Sequence, residues 1–342
     1  MTNSIQNKEI GSEFWNVPTQ KENNKIFDEK VQWYISGRSA LQAIIKDIEH
    51  AHNCVSIAMP SWCCDSMIKP FVDADIEVKF YPVYWNSKLI QEIRMDCNIL
   101  LIMDYFGYTS DKPDLSNYNG LIIRDVTHSI FSTDYTDSDY YFGSLRKWCG
   151  IWTGGYAYTQ DGRTFIVEDK KNDEYVFLRK KAMEQKNDFI KLGAHSDKGY
   201  LSIFSEAEEL LENIEVVPAA ERDIELAQYL DVEEIRKSRR RNTEILRKAF
   251  PEWLIFKDLK ESDCPLFVPI LVPDNKRDEL RKHLINKEIY CPVHWPASKY
   301  HCLDERTEFI YKNELSLVCD QRYNENDMNR IIDTINDFWK GF

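Results

Sequence analysis

The 342-residue sequence has no apolar run near the ~20 residues that span a membrane. Its first residues, Met1-Thr2-Asn3-Ser4, lack the basic region and apolar core of a signal peptide. It also lacks an excess of basic residues, since 57 Asp and Glu stand against 44 Lys and Arg, a net charge of −13. These absences argue against a membrane protein and against nucleic acid as the main partner.

The cysteine pattern does not indicate a disulfide framework or a metal site. Nine cysteines is an odd number, and with no export signal it favours reduced thiols in the cytoplasm. Cys291, His294, His301 and Cys302 are residue types that bind zinc. However, adjacent residues such as His301 and Cys302 rarely turn both side chains to one ion. We therefore predict no bound metal.

Short apolar runs alternate with helical patterns over much of the chain. Runs typical of buried strands occupy residues 55–59, 77–83, 98–104, 121–125 and 139–143, and residues 39–49 have helical periodicity. This alternation predicts an α/β fold with a mostly parallel sheet sandwiched by helices. Residues 170–215 are charged and helical in pattern.

The C-terminal third has a different composition. Residues 218–250 read as one long helix, in which the run Arg239-Arg240-Arg241 is typical of a solvated face. Strands at 266–272, 289–294 and 315–319 and helices at 277–286 and 326–339 then predict a smaller α+β domain. We expect an N-terminal arm at 1–32 with Phe14-Trp15 as its docking point, a large domain at 33–217 and a small domain at 218–342.

Asp125, Ser144 and Lys147 form the most informative pattern in the sequence. Asp125 ends a buried strand, and functional groups gather at the carboxyl ends of strands in open α/β sheets. Lys147 follows the next strand and precedes Gly154-Gly155. A lysine there suits a Schiff base, an upstream acid suits the ring nitrogen of pyridoxal phosphate (PLP), and Ser144 offers a hydroxyl to the phosphate. For each residue alone, a helix-capping acid or a solvated lysine is the alternative.

A second pattern lies at the start of the helix predicted at 39–49. The stretch Ser36-Gly37-Arg38-Ser39 supplies a glycine, small hydroxyls and backbone N–H groups at a helix N-terminus, where phosphate binds readily. We therefore assign Arg38 and Ser39 to the cofactor phosphate, the alternative being an ordinary helix cap.

Together these patterns resemble the fold-type-I PLP enzymes of the aspartate aminotransferase superfamily, and within it the DegT/StrS-type sugar aminotransferases. The resemblance covers most of residues 33–160 and is looser beyond, through Arg239-Arg240-Arg241-Asn242 and Val293-His294-Trp295-Pro296. The interval before Lys147 is shorter than in the family, so Ser144 is assigned on chemistry. The matching segments are Ser36-Gly37-Arg38-Ser39-Ala40-Leu41, Pro60-Ser61-Trp62, Asp125-x-x-His128, Ser144-x-x-Lys147 and Gly154-Gly155.

The resemblance implies roles for further residues. Trp62 would stack on the pyridine ring, and His128 would reach the phenolic oxygen or the ring face; the alternatives are a core tryptophan and a structural histidine. His294 and Trp295 would shape the pocket entrance from the small domain. Tyr105 follows a predicted strand and faces the same sheet edge as Asp125, as a pocket residue or as a packing aromatic.

Arg322 follows a predicted C-terminal strand. It could clamp a substrate carboxylate with both arms of its guanidinium group, and the alternative is a surface arginine.

The resemblance implies a homodimeric PLP-dependent aminotransferase. It would move an amino group from a donor such as glutamate to a nucleotide-linked keto-sugar or a related carbonyl, in cell-surface polysaccharide or secondary metabolite biosynthesis. A PLP-dependent lyase or dehydratase is an alternative, although dehydratases of this family replace the Schiff-base lysine with histidine. The other alternative is a non-enzymatic regulator or scaffold that has kept the site.

Overall fold

The computed structural model describes residues 9–341 except 25, 28, 53, 110–112, 133–137, 166, 169 and 213–215. In this part of the chain the strands are β1 (Ile10–Gly11), β2 (Gln32–Tyr34), β3 (Ser56–Pro60), β4 (Glu77–Tyr81), β5 (Val83–Asn86), β6 (Lys88–Gln91), β7 (Ile99–Met103), β8 (Leu121–Asp125), β9 (Tyr140–Ser144), β10 (Gly155–Thr159), β11 (Val268–Leu271), β12 (Ile289–Tyr290) and β13 (Glu314–Leu317). The helices are α1 (Gly37–Ala51), α2 (Asp65–Asp73), α3 (Asp173–Leu192), α4 (Tyr200–Leu211), α5 (Glu221–Gln228), α6 (Val232–Ala249), α7 (Arg277–Ile285), α8 (Glu305–Asn313) and α9 (Glu325–Lys340).

A seven-stranded sheet in the order β2-β10-β9-β8-β7-β3-β4 forms the centre of the large domain. The five strands from β9 to β4 are parallel, and β10 is antiparallel to both of its neighbours. Strands β3, β7 and β9 are buried along their whole length, as expected for a sheet covered by helices on both faces. The predicted mostly parallel α/β sheet is confirmed.

Helix α1 shows how the sequence positions the edge of this sheet. Its apolar residues Leu41, Ile44, Ile45 and Ile48 form one buried face, as the periodicity predicts. The helix begins earlier than residue 39 because Ser36 caps it, with Oγ accepting a hydrogen bond from the Ser39 N–H at 3.2 Å.

Two glycines let the start of α1 lie against the ends of β9 and β10. A Cβ on Gly155 would lie 1.9 Å from the backbone oxygen of Ser36, so no side chain fits there. A Cβ on Gly37 would meet the Cβ of Ser144 at 3.3 Å. The glycine in the helix-start motif and the second glycine of the Gly-Gly pair therefore bring Ser36 and Ser144 together.

The C-terminal unit has its own core around the antiparallel pair β11–β13 and the helices α6, α7 and α9. The prediction of one helix over 218–250 is wrong, because the chain breaks between α5 and α6. Asp231 caps α6 with its side chain, and Thr19 of the arm forms a β-bridge with Leu230 at the break. The predicted strand at 289–294 is also shorter, because only Ile289–Tyr290 pairs, with β1 of the arm.

The N-terminal arm lies along its own chain from residue 9 onward. Strand β1 pairs in parallel with β12, and the Gly11 N–H donates to the Tyr323 hydroxyl at 2.8 Å. Phe14 and Trp15 both lie against the guanidinium group of Arg322, at 3.9 and 4.9 Å from their ring centroids. The first eight residues of the predicted arm lie outside the described residues. The domain boundaries stay a prediction.

Candidate active site

A cavity of about 210 Å³ lies at the carboxyl edge of the central sheet. Five of the seven residues predicted to hold a cofactor line it: Arg38, Asp125, His128, Ser144 and Lys147. They come from the start of α1, the end of β8 and the turn after β9. The fold therefore brings together side chains that are separated by more than a hundred positions in the sequence.

Asp125 is the buried acid of this cavity, with only 4% of its surface exposed. It ends β8, where its register partners are Met103 of β7 and Phe142 of β9. Its Oδ1 accepts a hydrogen bond from the Thr127 N–H at 2.8 Å. Burial raises the pKa of Asp125 to about 6, although its bonds with Thr127 oppose this. A cation beside the carboxylate would favour its charged form.

His128 lies one turn beyond Asp125 and is also buried. Its Nδ1 accepts a hydrogen bond from the Phe106 N–H at 3.3 Å, so the proton of the neutral ring is on Nε2. Burial and the charge of Lys147 lower the pKa of His128 to about 3, so the ring is neutral at pH 7. The Trp295 ring stacks on it, with centroids 5.7 Å apart and an angle of 20°.

The N-terminus of α1 forms another part of the cavity wall. Ser36, Gly37 and Arg38 line it together with Ser144, and the first turn of α1 contains no acidic residue. Backbone N–H groups and the helix dipole make such an end favourable for an anion. The Arg38 Nη1 donates to the Leu211 carbonyl at 3.0 Å, while its buried Nε has no hydrogen-bond partner in the described part of the chain.

Lys147 lies at the end of a short 3-10 helix, Leu145–Lys147, that follows β9 directly. Its side chain is exposed toward the cavity, while its neighbours fix the backbone. The Leu145 N–H bonds to the Gly154 carbonyl at 2.9 Å, and the Trp148 indole donates to the Thr127 carbonyl at 2.7 Å. The lysine is therefore held on a rigid turn within the same cavity as Asp125.

Trp62, Tyr105 and Ser39 were also predicted as site residues, but they line neither this cavity nor the larger one beside it. Trp62 is fully buried, and its indole N–H donates to the His294 carbonyl at 2.5 Å. Its ring packs on Tyr105, with centroids 5.0 Å apart, and the Tyr105 hydroxyl donates back to the Trp62 carbonyl. Ser39 is buried in the first turn of α1, where its N–H bonds to Ser36. Trp295, by contrast, lines the cavity.

A second cavity, of about 650 Å³, adjoins the first and shares Arg146, Lys147 and Glu208 with it. His294 and Arg322 line this larger space. Both arms of the Arg322 guanidinium are occupied, by the two carboxylate oxygens of Asp320 at 2.8 Å and by arm carbonyls such as that of Glu13. The two cavities meet at Lys147.

A buried acid, Glu314, holds His294 and was not predicted from the sequence. Glu314 at the start of β13 is fully buried, and it accepts from the His294 N–H at 2.7 Å and from the Ser316 hydroxyl at 2.5 Å. Burial raises the pKa of Glu314 to about 8, so it is largely protonated at pH 7. A charged residue just before an apolar run was the available signal.

Arginine is the other residue type whose placement sequence reasoning missed. Arg239 of the basic run is fully buried, with Nε bonded to the Gln321 side chain at 2.8 Å and its guanidinium over the Trp148 ring. The expectation of a solvated face is therefore wrong for Arg239. Arg146, inside the Ser-x-x-Lys motif, and Arg179 of α3 both line the larger cavity. The motif offered a signal for Arg146, and nothing local offered one for Arg179.

Among the described residues, no group of three or more His, Cys, Asp or Glu side chains is placed to hold a metal ion. The absence of zinc stays a prediction. No helix in the described ranges is both long and apolar enough to cross a bilayer.

No protein-family model matches the sequence, and no curated protein matches it significantly. Solved structures do match the fold. They include a DegT/DnrJ/EryC1/StrS aminotransferase from Brucella abortus (TM-score 0.59, 14% identity, covering 90% of this chain and 85% of that one) and Helicobacter pylori PseC, an aminotransferase involved in pseudoaminic acid biosynthesis (0.60, 13%, 97% and 100%). S. venezuelae DesV, solved with a ketimine intermediate, is a third (0.59, 14%, 90% and 84%). The chain therefore has the fold of these aminotransferases.

Proposed function

We propose that this protein is a PLP-dependent aminotransferase. The observation that carries the proposal is the shared 210 Å³ cavity in which Lys147, buried Asp125 and the α1 N-terminus with Ser144 face one another. A lysine, an acid and an anion-binding helix end are the three groups that a pyridine ring with an aldehyde and a phosphate requires. The fold of the solved aminotransferases supports the same assignment.

The residues present fit PLP group by group. The start of α1 and Ser144 would bind the phosphate, because Ser36, Gly37 and Ser144 line the cavity and a helix N-terminus offers backbone N–H groups to an anion. Asp125 would bind the ring nitrogen, and Lys147 would react with the aldehyde carbon. When bound, PLP supplies an electron sink for the carbanion that forms at the substrate carbon.

Each residue has a defined task in this scheme. Burial disfavours the Asp125 carboxylate, and a protonated ring nitrogen beside it would favour the charged form, so Asp125 would keep that nitrogen protonated. Lys147 would move the proton of the substrate carbon, as general base and then as acid. His128, neutral because of burial, offers its Nε2–H, and Trp295 stacked on it covers the cavity from the small-domain side.

The second cavity supports an acceptor much larger than an amino acid. At about 650 Å³ it is three times the size of the first and opens onto the same Lys147. We propose an amino acid such as glutamate as donor and a nucleotide-linked keto-sugar or related carbonyl as acceptor, in cell-surface polysaccharide or secondary metabolite biosynthesis. The fold neighbours include sugar aminotransferases.

We further propose that the protein is a cytoplasmic homodimer, because closed two-fold symmetry is the commonest assembly and sites of this fold form at a subunit boundary. Nucleic acid and membranes are not expected partners, given the net charge of −13. Light scattering at micromolar concentration should give twice the 40.5 kDa chain mass. A fully active monomer would refute the dimer.

Borohydride reduction tests the catalytic assignment directly. The purified protein should be yellow, and reduction should attach the cofactor to the peptide that contains Lys147. Lys147→Ala should reduce turnover by at least the roughly 10²–10⁴-fold that general acid–base catalysis contributes. Lys69→Ala is the matched control, because Lys69 lies in α2 and lines neither cavity. Labelling of another lysine would overturn the assignment. An amino-donor screen separates a transferase from a lyase, and a colourless, inactive protein would support a scaffold.

A further inference from the structure

His294 is held at both of its backbone polar groups and at one ring nitrogen. Its N–H donates to Glu314 Oε2 at 2.7 Å, and its carbonyl accepts the indole N–H of Trp62 at 2.5 Å. Its Nδ1 lies 2.8 Å from the Ser316 hydroxyl. The ring therefore has a fixed place in the wall of the larger cavity, which Lys147 also lines.

A second contact continues from this hydroxyl into the core. The Ser316 Oγ lies 2.5 Å from Glu314 Oε1, and neither residue has exposed surface. The two side chains lie on the same face of β13, because residues two apart in a strand point to the same side. Carboxyl group, hydroxyl and imidazole thus form an unbroken chain of hydrogen bonds from a buried acid to the cavity.

The other ring nitrogen of His294, Nε2, is the end of this chain that a ligand can reach. It has no hydrogen-bond partner among the described residues, and it is not one of their fully buried polar atoms. The side chain is 12% exposed, and the rings of Phe106 and Phe267 pack against it with centroids 5.1 Å away. Because these apolar neighbours can neither accept nor donate a proton, the partner of Nε2 is a molecule in the cavity.

The chain has two arrangements that differ by one proton. When Glu314 is protonated, it donates to Ser316, which donates to Nδ1, so His294 carries its ring proton on Nε2. When Glu314 is ionised, both hydrogen bonds reverse and the ring proton is on Nδ1. A proton that leaves Nε2 is therefore replaced from Glu314 while the ring stays neutral. Burial raises the pKa of Glu314 to about 8 and lowers the pKa of His294 well below its ordinary value, so the first arrangement predominates at pH 7.

We propose that Glu314, Ser316 and His294 form a proton relay that supplies one proton to the carbonyl oxygen of the amino acceptor. The proposal rests on the proposed aminotransferase function, in which the acceptor occupies the larger cavity that His294 lines. When nitrogen replaces the carbonyl oxygen, the C–O bond breaks and the oxygen leaves as water. The attacking amine gives one of its two protons to this oxygen and keeps the other on the new C=N group. The second proton of the water comes from Nε2. Glu314 is left ionised, and it regains its proton from solvent through the same atoms in reverse.

The tautomer of His294 tests the relay without cofactor or turnover. In NMR spectra of cofactor-free protein with isotope-labelled histidine, the ring should change from the Nε2–H to the Nδ1–H tautomer between about pH 6 and 10, across the pKa of Glu314. Glu314→Gln should keep the Nε2–H tautomer at every pH, because the amide NH₂ group donates to Ser316 and cannot accept from it. Loss of the signals in His294→Gln assigns them.

Three of the ionisable groups that face the relay keep their charge state in this pH range. Arg277, whose Nη1 donates to the backbone carbonyl of the acid at 3.1 Å, remains a cation. Burial raises the pKa of the Cys291 thiol to about 12 and lowers the pKa of His128 to about 3. Lys147 also faces the ring, so the titration is repeated with Lys147→Ala, in which the change of tautomer should persist.

Kinetics test whether the relay serves the carbonyl substrate. The probe is 2-oxoglutarate, the keto form of the proposed donor glutamate, because every carbonyl substrate has to present its oxygen at the same position. Ser316→Ala and Glu314→Gln should each lower kcat by at least about 10²-fold, the lower end of what a positioned acid contributes, and change KM less than about 3-fold. Either variant is sufficient if the other does not fold.

Ser132→Ala is the matched control for the loss of a buried hydroxyl. Ser132 is also buried, its hydroxyl donates to the Gly107 carbonyl at 2.9 Å, and it lines neither the cofactor cavity nor the larger one. Its replacement should change kcat less than about 3-fold.

Two results would overturn the relay. One is a single His294 tautomer over the whole pH range in the unmodified protein. The other is a kcat of Ser316→Ala within about 3-fold of the unmodified value. A protein that shows the change of tautomer but transfers no amino group from any donor would instead refute the proposed function, and the relay would still be supported.

Discussion

Asp125 gives the sharpest prediction, because burial in the fold favours its protonated form whereas its proposed role beside PLP requires its ionised form. In the folded chain without cofactor, burial raises its pKa from 3.8 to about 6. A carboxyl group with a raised folded-state pKa contributes its full stability below the unfolded pKa, and loses it as the pH rises through the folded pKa. The window therefore runs from about pH 4 to pH 6. At pH 7.5 the ionised group costs the cofactor-free fold about 3 kcal/mol.

Asp125→Asn removes this titrating group, so the variant should not lose stability as the pH rises. The free energy of unfolding of the cofactor-free variant, measured by urea denaturation, should rise relative to the unmodified protein by about 2 kcal/mol between pH 4.5 and 7.5. The pH dependence is the decisive quantity, because the amide adds a constant offset of its own. With PLP bound, the stability difference between the variant and the unmodified protein should change sign, because a protonated ring nitrogen favours the ionised acid. The variant should therefore bind PLP more weakly and turn over more slowly.

Asp114→Asn is a control for the sign. Asp114 is exposed, and hydrogen bonds with Ser116 lower its pKa, so its replacement should change the pH dependence in the opposite direction. The reasoning about Asp125 is refuted if the stability difference between Asp125→Asn and the unmodified cofactor-free protein stays constant from pH 4.5 to 7.5. It is also refuted if PLP binding leaves that difference unchanged.

Further predictions concern the aromatic residues, Glu314 and the metal. Trp62→Ala should destabilise the fold by about 3–5 kcal/mol in thermal or urea denaturation, because removal of a fully buried indole leaves a cavity. Trp295→Ala should mainly accelerate cofactor loss, measured by the cofactor absorbance. The reverse pattern would restore Trp62 as the ring-stacking residue. Glu314→Ala should raise the KM of the acceptor, because the His294 segment loses its hydrogen bond to Glu314. Glu314→Gln still accepts this bond from the His294 N–H, so its KM should stay near that of the unmodified protein. Equal KM increases in the two variants would show that the hydrogen bond does not matter. Elemental analysis should find no stoichiometric zinc, and one zinc per chain that is lost on Cys291→Ser would contradict this.

Local patterns were sufficient for most strands of the central sheet, for α1 and for the expectation that Asp125 and Lys147 lie at one edge of the sheet. The apolar run that ends on Asp125 became β8, and the periodicity of residues 39–49 became α1, because burial on a sheet or helix face repeats every few residues. Lys147 was predictable for a different reason, because a residue just after a buried strand lies at the edge of the sheet. The Gly-Gly pair was also readable, since only a residue without Cβ fits against Ser36.

The sequence by itself thus determined the α/β layers and placed Asp125 and Lys147 at the carboxyl edge of the sheet. The tertiary structure decided which distant side chains meet there. Trp62 and Trp295 look equivalent as single aromatics, yet contacts across more than two hundred residues bury one and leave the other in the cavity. Arg322 and Arg179 are likewise both arginines of unremarkable local context. Their occupancy depends on where the N-terminal arm crosses them, 309 and 166 positions away. Periodicity encodes which face of an element is buried, but the partner on that face is set by the packing of the whole chain.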